Sequence, residues 1–483
     1  MKQQDAEYDV VVGLEVHIQL NTNSKLFCSD AALYGAAPNY NTSAITLGHP
    51  GTMPRVNQIA IEKAVTLGLV LGCSITTTNY FSRKHYLYPD LPKGFQTTQH
   101  IDPICVGGSL AIASANGNKN IAIHHIHLEE DAGKSIHDAD PNNTALDYNR
   151  AGTPLCELVT EPCINSSEEA YNFLTQLRKL VRWVGISDGN MEEGSLRCDV
   201  NVSLKPKGST VLGTRVEVKN VNSIKFAKKA IEIEVARLAA ILNNGEKVHQ
   251  ETRSFDAVNE TTFSLRSKED ANDYRYFIEP DLSPTIISQT TIKQLQHALP
   301  ALPQQIIINL QTQYGLSLYD ATSVVDDYET YQYFSEAILT CTNAKGIINF
   351  INGPIKQYSK EQNISIKQCP IVAATTANIV NLIDANTITF GTASSKLFAA
   401  LLKQTNHTPL QLIDSMQLTL QINTDELDNW VTTVLQKNEA KVAEYKKGKK
   451  GLIGYFVGEV VKLSKGKAAP KETQEILQTK LMA

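Results

Sequence analysis

Three short stretches carry one pattern: GLEVHIQL at residues 13–20, CDVNVSL at 198–204 and TRVEVKN at 214–220. In the first, Glu15, His17 and Gln19 alternate with Leu14, Val16, Ile18 and Leu20. In the second, Asp199, Asn201 and Ser203 alternate with Cys198, Val200, Val202 and Leu204, and in the third Arg215, Glu217 and Lys219 alternate with Val216 and Val218. A period of two gives each strand one apolar face and one face of carboxylates, amides and cations. A sheet packed on one side and wet on the other is typically antiparallel. For any one of these strands taken alone, a solvated outer face is the expected reading. The residue types point further, because acids recur beside His17 and Asn201 rather than a mixture of Lys, Glu, Thr and Ser.

A fourth stretch, LEEDAGKS at 128–135, sets Glu129, Glu130 and Asp131 side by side. Three adjacent acids repel one another unless water or a cation neutralises them, and a hard divalent ion such as Mg²⁺ suits oxygen ligands shared with phosphates. Glu157 sits in the apolar run PLCELVT and needs a partner if buried. His124, His125 and His127 raise zinc as an option, but no cysteine lies near them and their alternation fits a strand. The AGKS string at 132–135 is not a P-loop, since Leu128 stands where the first glycine belongs. Residues 80–99 interleave Arg83, Lys84 and Lys93 with Tyr80, Phe81, Tyr86, Tyr88 and Phe95. Their Pro and Gly content predicts a loop, whose cations and aromatics suit phosphate and base contacts and equally suit a loop packed on its own domain.

The chain has 483 residues, 42% hydrophobic and 20% charged, enough for about three domains and a core that needs neither disulfide nor structural metal. A net charge of −5 disfavours a wholly basic nucleic-acid coat protein and says nothing about local patches. The eight cysteines form no C-x-x-C pair, which predicts free thiols in a reducing compartment. No apolar run reaches the length of a membrane span, and the first residues resemble neither signal peptide nor presequence. A cytoplasmic protein with no membrane or DNA partner is expected.

Residues 1–295 mix strands with helices. Ser166 and Glu169 read as a capping box ahead of Tyr171, Leu174, Leu177, Leu180 and Val184 at helical spacing. A second helix is predicted from about Ser223 to Leu242, stopped by Asn243-Asn244-Gly245. Pro-rich residues 280–303 predict a boundary, after which helical periodicity dominates through 296–405 and a small bundle over 406–483. There Leu452, Ile453, Phe456, Val457, Val460 and Val461 form an apolar stripe. Residues 441–471 hold nine lysines against two glutamates, +7, leaving −12 for the rest of the chain.

Six strings occur in order: VVGLEVHIQL (11–20), SRKHYLYPDLPKGFQTTQ (82–99), LEEDAGKS (128–135), NRAGTPLCELVTEP (149–162), MEEGSLRCDVNVSL (191–204) and EVKNVNS (217–223). With SSK at 394–396 and YKKGKKGLIGYFVGEVVKLSKGKA near the end, the chain resembles the B subunit family of the tRNA-dependent amidotransferase from about residue 8 onward. That resemblance implies an α+β fold: an antiparallel-sheet cradle related to glutamine synthetase over 1–295, a helical domain over 296–405 and a tRNA-binding tail over 406–483. It implies ATP-dependent phosphorylation of the side-chain carboxylate of Glu-tRNA(Gln) or Asp-tRNA(Asn), then amidation by ammonia. The ammonia would come from a glutaminase A subunit, in a heterotrimer strapped by a small C subunit. At 483 residues there is no room for the large insertion of the related archaeal E subunit. The Cys cluster that binds zinc in some members is reduced to Cys28, so no zinc is expected, and Phe95 of KGFQ lacks the hydroxyl of the family's tyrosine.

The resulting assignment has Glu15, His17, Glu130 and Glu157 converging on Mg²⁺ beside the ATP phosphates. Glu129, Asp131, Lys84, Asp199, Glu217 and Lys219 are the expected catalytic residues, with Arg83, Lys84, Arg215 and Asn201 at the nucleotide. Lys446, Lys447, Lys449, Lys450, Lys462, Lys465 and Lys467 are expected on tRNA phosphates. Two other readings are disfavoured: a tRNA-binding chaperone on a decayed cradle would not need these acids, and a free-standing amide ligase would lack an ammonia source. Which of the two misacylated tRNAs is used depends on the cell's synthetases.

Overall fold

The computed structural model describes residues 8–140, 142–267, 273–420, 424–464 and 468–482. The chain divides into two compact units, Met1–Pro300 and Ala301–Ala483.

The first unit is built on a 13-stranded sheet. Ten strands form its main path: β1 (Tyr8–Gln19), β2 (Ser82–His85), β3 (Phe95–Thr98), β4 (Gly117–Glu130), β5 (Pro154–Thr160), β6 (Leu196–Pro206), β7 (Val216–Val221), β8 (Glu251–Asp256), β9 (Thr261–Ser267) and β10 (Phe277–Ile278). Their spatial order is β9-β8-β7-β6-β1-β5-β4-β3-β2-β10, so the strand quoted first above lies near the middle. Residues opposite one another in a ladder share a face. His17 stands opposite both Glu157 and Arg197, Glu15 opposite Asp199, Glu157 opposite His127, and Asn201 opposite Glu217. One face therefore collects the polar residues of five strands. The other carries Leu14, Val16, Ile18, Ile126, Leu128, Cys156, Leu158, Val200, Val202 and Val218, all buried.

Three helices cover that apolar face. α1 (Gln58–Leu71) packs near β4, α2 (Ser167–Trp183) and α3 (Ile224–Asn243) pack on each other, and α3 lies on β6 and β7. Ser166 and Ser223 cap α2 and α3 as their positions predict, accepting from the amides of Glu169 and Phe226. The box at α2 is displaced by one residue, for the Glu169 carboxylate takes the amide of Asn165, 2.8 Å away, instead of that of Ser166.

Two expectations are corrected. The sheet is mixed, because β7 and β8 run parallel. α3 connects them, and a parallel neighbour requires such a crossover. Residues 80–99 are not simply a loop: β2 and β3 pair antiparallel from Ser82↔Thr98 to His85↔Phe95, so the Pro-rich part is only the connection between two strands.

The second unit is helical throughout its described residues. Helix Pro409–Ser415 packs on helices Ala373–Asp384 and Phe398–Lys403. The last four helices, Thr424–Lys437, Glu439–Lys446, Leu452–Leu463 and Pro470–Met482, close on their own core of Leu427, Val431, Val434, Tyr445, Phe456, Val460, Leu477 and Leu481. No helix among the described residues is long and apolar enough to cross a membrane.

Candidate active site

The polar face concentrates three carboxylates around two imidazoles. His17 Nε2 lies 3.2 Å from Glu157 Oε2, 3.6 Å from Glu129 Oε1 and 3.9 Å from Glu15 Oε1. His127 Nε2 lies 3.2 Å from Glu129 Oε2 and 3.5 Å from Glu157 Oε2. Two groups have ligand atoms all within 4.8 Å of one another: Glu15, His17 and Glu157, and His125, His127 and Glu157. Glu157 belongs to both.

The electrostatics follow from crowding these groups out of water. Burial, then the Glu157 charge, raises Glu15 to about 7. Burial opposes protonation of His17, but the hydrogen bond and charge of Glu157, with Glu129, raise it to about 9. His127 is raised for the same reason, burial being outweighed by Glu157 and Glu129. His125, with burial and two neighbouring histidines against it, falls to about 4. Burial also works against ionised Glu157 and Glu129, yet their histidine partners hold both carboxylates below the usual range. Glu15, His17 and Glu157 thus offer two carboxylates and one imidazole within the reach of one ion, and two anionic oxygens suit a hard divalent cation.

Cations border the acids. Lys219 Nζ is clamped by Asp199 (2.5 Å) and Glu217 (3.2 Å), and Glu217 in turn accepts from Thr252 Oγ1 at 2.8 Å. Burial lowers Lys219, but those two charges outweigh it and keep the ammonium protonated. Lys84 and Lys219 line one cavity of 460 Å³. Arg197, opposite His17 in the ladder, pairs with Asp131 at 2.9 Å, and Arg150 reaches the same oxygen at 3.2 Å.

The chain matches the model of the GatB/GatE catalytic domain over residues 10–293 and that of the GatB domain over 332–481. Among curated proteins it is 43% identical over 474 residues to the B subunit of the aspartyl/glutamyl-tRNA(Asn/Gln) amidotransferase of Trichlorobacter lovleyi, covering 98% of this chain and 99% of that one. It is 44% identical over 478 residues to the B subunit of the same enzyme of Geobacter sp. (strain M21), with 98% and 99% covered, and 42% identical over 476 to that of Syntrophotalea carbinolica, with 99% of each covered. The chain belongs to the amidotransferase B-subunit family.

In this family member, period two separates residues that adjacency in the sequence had grouped. Glu15, His17 and Glu157 come together as expected of metal ligands, but Glu130 does not join them. Glu130 follows Glu129 on β4 and so faces the other way, where its carboxylate accepts from Lys93 Nζ at 2.5 Å and from the Thr97 amide at 2.8 Å. Glu129 takes the place at the cluster. Arg83 and Lys84 separate for the same reason. Lys84 faces the cluster's side, whereas Arg83 is held by Glu279 at 2.7 and 2.8 Å and lies over the Phe95 ring at 4.3 Å. Phe95 packs between Arg83 and Lys93, whose Nζ is 4.9 Å from its ring. Asn201 and Arg215 line a separate cavity of 210 Å³ with Ser203 and Thr160.

Asp131, expected in catalysis, is occupied by Arg150 and Arg197. The sequence reading missed Arg197 and weighed His127 only as a zinc ligand; ladder register with His17 and Glu157 is the signal that places both at the cluster. Among the described residues Cys28 belongs to no group of three metal-ligating side chains; its thiol lies 3.4 Å from Thr46 Oγ1. In the second unit Lys446, Lys447, Lys449, Lys450 and Lys462 are exposed, Lys449 pairing with Glu444 at 3.0 Å and Lys450 lying over the Tyr445 ring. Lys465 and Lys467 lie outside the described residues.

Proposed function

We propose that this chain phosphorylates the side-chain carboxylate of Glu-tRNA(Gln) or Asp-tRNA(Asn) with ATP and then amidates it. The observation that carries this reading is the gathering of Glu15, His17, Glu129 and Glu157 on one sheet face, with Lys84 and Lys219 at the adjoining cavity. Phosphoryl transfer asks for positioning and charge neutralisation rather than covalent help from the protein. A carboxylate oxygen of the aminoacyl group attacks the γ-phosphorus and ADP leaves. The lone pair of ammonia then attacks the acyl carbon, phosphate departs with that carboxylate oxygen, and the nitrogen gives up a proton.

Glu15, His17 and Glu157 would hold Mg²⁺, which when bound neutralises charge shared with the phosphates. Glu129 orients His17 and His127 toward that group. Asp199 and Glu217 keep the Lys219 ammonium aimed at phosphate or acyl-phosphate oxygens, and Lys84 supplies a second cation. The names of the relatives support a multi-subunit setting, in which a glutaminase A subunit and a small C subunit would complete a heterotrimer. The hydroxyls of Ser394 and Ser395 donate to the Gly391 carbonyl at 3.3 and 2.6 Å. Serines engaged within a helix do not supply a nucleophile for making ammonia here.

Metal binding should depend on pH with a definite sign. Without metal, Glu15 carries a proton below about 7 and His17 below about 9. An ion must displace both protons at acid pH, one between those values and neither above. Apparent affinity for Mn²⁺, measured by calorimetry, should therefore rise with pH from 6 to 9, most steeply at the acid end, with proton release that varies with buffer ionisation enthalpy. Affinity that is flat over this range would remove these residues from the metal site.

The tail is proposed to hold tRNA. Its core begins at Leu427, while helix Pro409–Ser415 packs on the preceding helices, so the informative truncation ends at Leu420. It should raise the KM for full-length misacylated tRNA and flatten its salt dependence, by roughly one logarithmic unit for each phosphate no longer neutralised. A minimal acceptor-stem substrate should be much less affected. Unchanged KM and salt slope for full-length tRNA would make the tail purely structural.

A further inference from the structure

His124 and His125 have no task in the phosphoryl transfer proposed above. β4 pairs with β5 at His125↔Val159 and at Ile123↔Thr160, so His124 is an extra residue in its strand. A bulge of this kind re-aims side chains. His124 and His125 are therefore not sent to opposite faces, and their Nδ1 atoms lie 2.6 Å apart. His127 Nε2 is engaged by Glu129 Oε2 at 3.2 Å. His125 and His127 thus each commit one nitrogen to a neighbour, and the two that remain, His125 Nε2 and His127 Nδ1, are 3.3 Å apart. We propose that His125, His127 and Glu157 form a site for a divalent transition ion of the zinc class, and that filling it draws Glu157 away from Mg²⁺. The second half rests on the function proposed above.

A ligand atom of each of the three residues lies within 4.8 Å of the others, and among the described residues theirs is the one such group with two imidazoles. Two nitrogens bound to one tetrahedral zinc at about 2.0–2.1 Å stand about 3.3 Å apart, which is the spacing the rings already have. Metal-bound histidines are held through their second nitrogen, and His124 and Glu129 supply those anchors. Two imidazoles with one carboxylate need no cysteine and suit zinc better than Mg²⁺. Glu15, His17 and Glu157 offer the reverse proportion. The expected absence of zinc rested on the reduced cysteine cluster at Cys28, a different part of the chain. Glu157 links the two ions. Its Oε2 lies 3.2 Å from His17 Nε2 and 3.5 Å from His127 Nε2, so one oxygen is within reach of both.

The test titrates Co²⁺ and Zn²⁺ into the full chain, wild type beside His124→Ala, His125→Ala and His125→Gln. The d–d absorption of Co²⁺ reports tetrahedral ligation, and a chromophoric chelator competing for Zn²⁺ gives the affinity. One ion per chain is expected. Loss of an anchor in His124→Ala should weaken it about 10- to 100-fold, and loss of a ligand in either His125 variant at least about 100-fold. Added Mg²⁺ should weaken Zn²⁺ binding to wild type. In the complete complex with misacylated tRNA, Zn²⁺ should inhibit ADP formation by wild type and Mg²⁺ should relieve it, while both His125 variants keep the zinc-free rate and resist zinc. Equal Zn²⁺ affinity in wild type and the His125 variants overturns the site, whatever the activity. Zn²⁺ binding that ignores Mg²⁺ overturns the competition for Glu157. Wild type that forms no ADP even without zinc overturns the proposed function, and Zn²⁺ binding then decides the site by itself.

Discussion

Replacing Glu157 by glutamine is expected to abolish ADP formation stimulated by misacylated tRNA, a loss on the order of 10³-fold or more, equivalent to about 4 kcal/mol of transition-state stabilisation. Glu157 lies within 3.2 Å of His17 and 3.5 Å of His127 and belongs to both metal-capable groups. A neutral amide at that position removes the shared negative charge and leaves His17 and His127 without their main carboxylate partner. Glutamine hydrolysis by a partner protein should survive, which separates loss of chemistry from loss of assembly. Glu130→Gln is the informative contrast. That carboxylate faces Lys93, so Mn²⁺ affinity should stay near the wild-type value. Full ADP formation in Glu157→Gln would refute the site.

The second large effect concerns the source of nitrogen. Purified chain given ATP, glutamine and misacylated tRNA should form no amide, because nothing identified in it releases ammonia from glutamine. An acyl phosphate left in water hydrolyses, so ammonia should reach it by a shielded route from a bound partner. High ammonium should restore a trace of product. Efficient glutamine-dependent amidation by this chain alone would contradict the division of labour between subunits.

Much of this was legible in the residues. Alternation in GLEVHIQL, CDVNVSL and TRVEVKN predicted three strands and their wet faces, and the structure pairs the first two directly. Ser166 and Ser223 announced the starts of two helices. Adjacency misled where period two should have been carried through. Glu129 and Glu130, like Arg83 and Lys84, are neighbours in sequence and so point to opposite faces of their strands. Which strands lie side by side was not legible, since ladder register depends on long-range packing. The place of His127 and Arg197 at the cluster became visible only when β4 met β5 and β6 met β1. The parallel pairing of β7 and β8 was hidden for a related reason. A helix between two strands permits a crossover, and nothing in Val216–Val221 or Glu251–Asp256 says whether the sheet will use it.

The central claim is that ATP activates the tRNA-bound carboxylate itself, and oxygen isotopes test it directly. Misacylated tRNA carrying ¹⁸O in the side-chain carboxylate would be amidated by the complete complex with unlabelled ATP and glutamine, and the inorganic phosphate analysed by mass spectrometry. Attack of that carboxylate on the γ-phosphorus, followed by displacement by ammonia, leaves one carboxylate oxygen on phosphate. One ¹⁸O per phosphate, matched to each amide formed, is the predicted result. Unlabelled phosphate accompanying full amidation would mean that no acyl phosphate forms on this sheet.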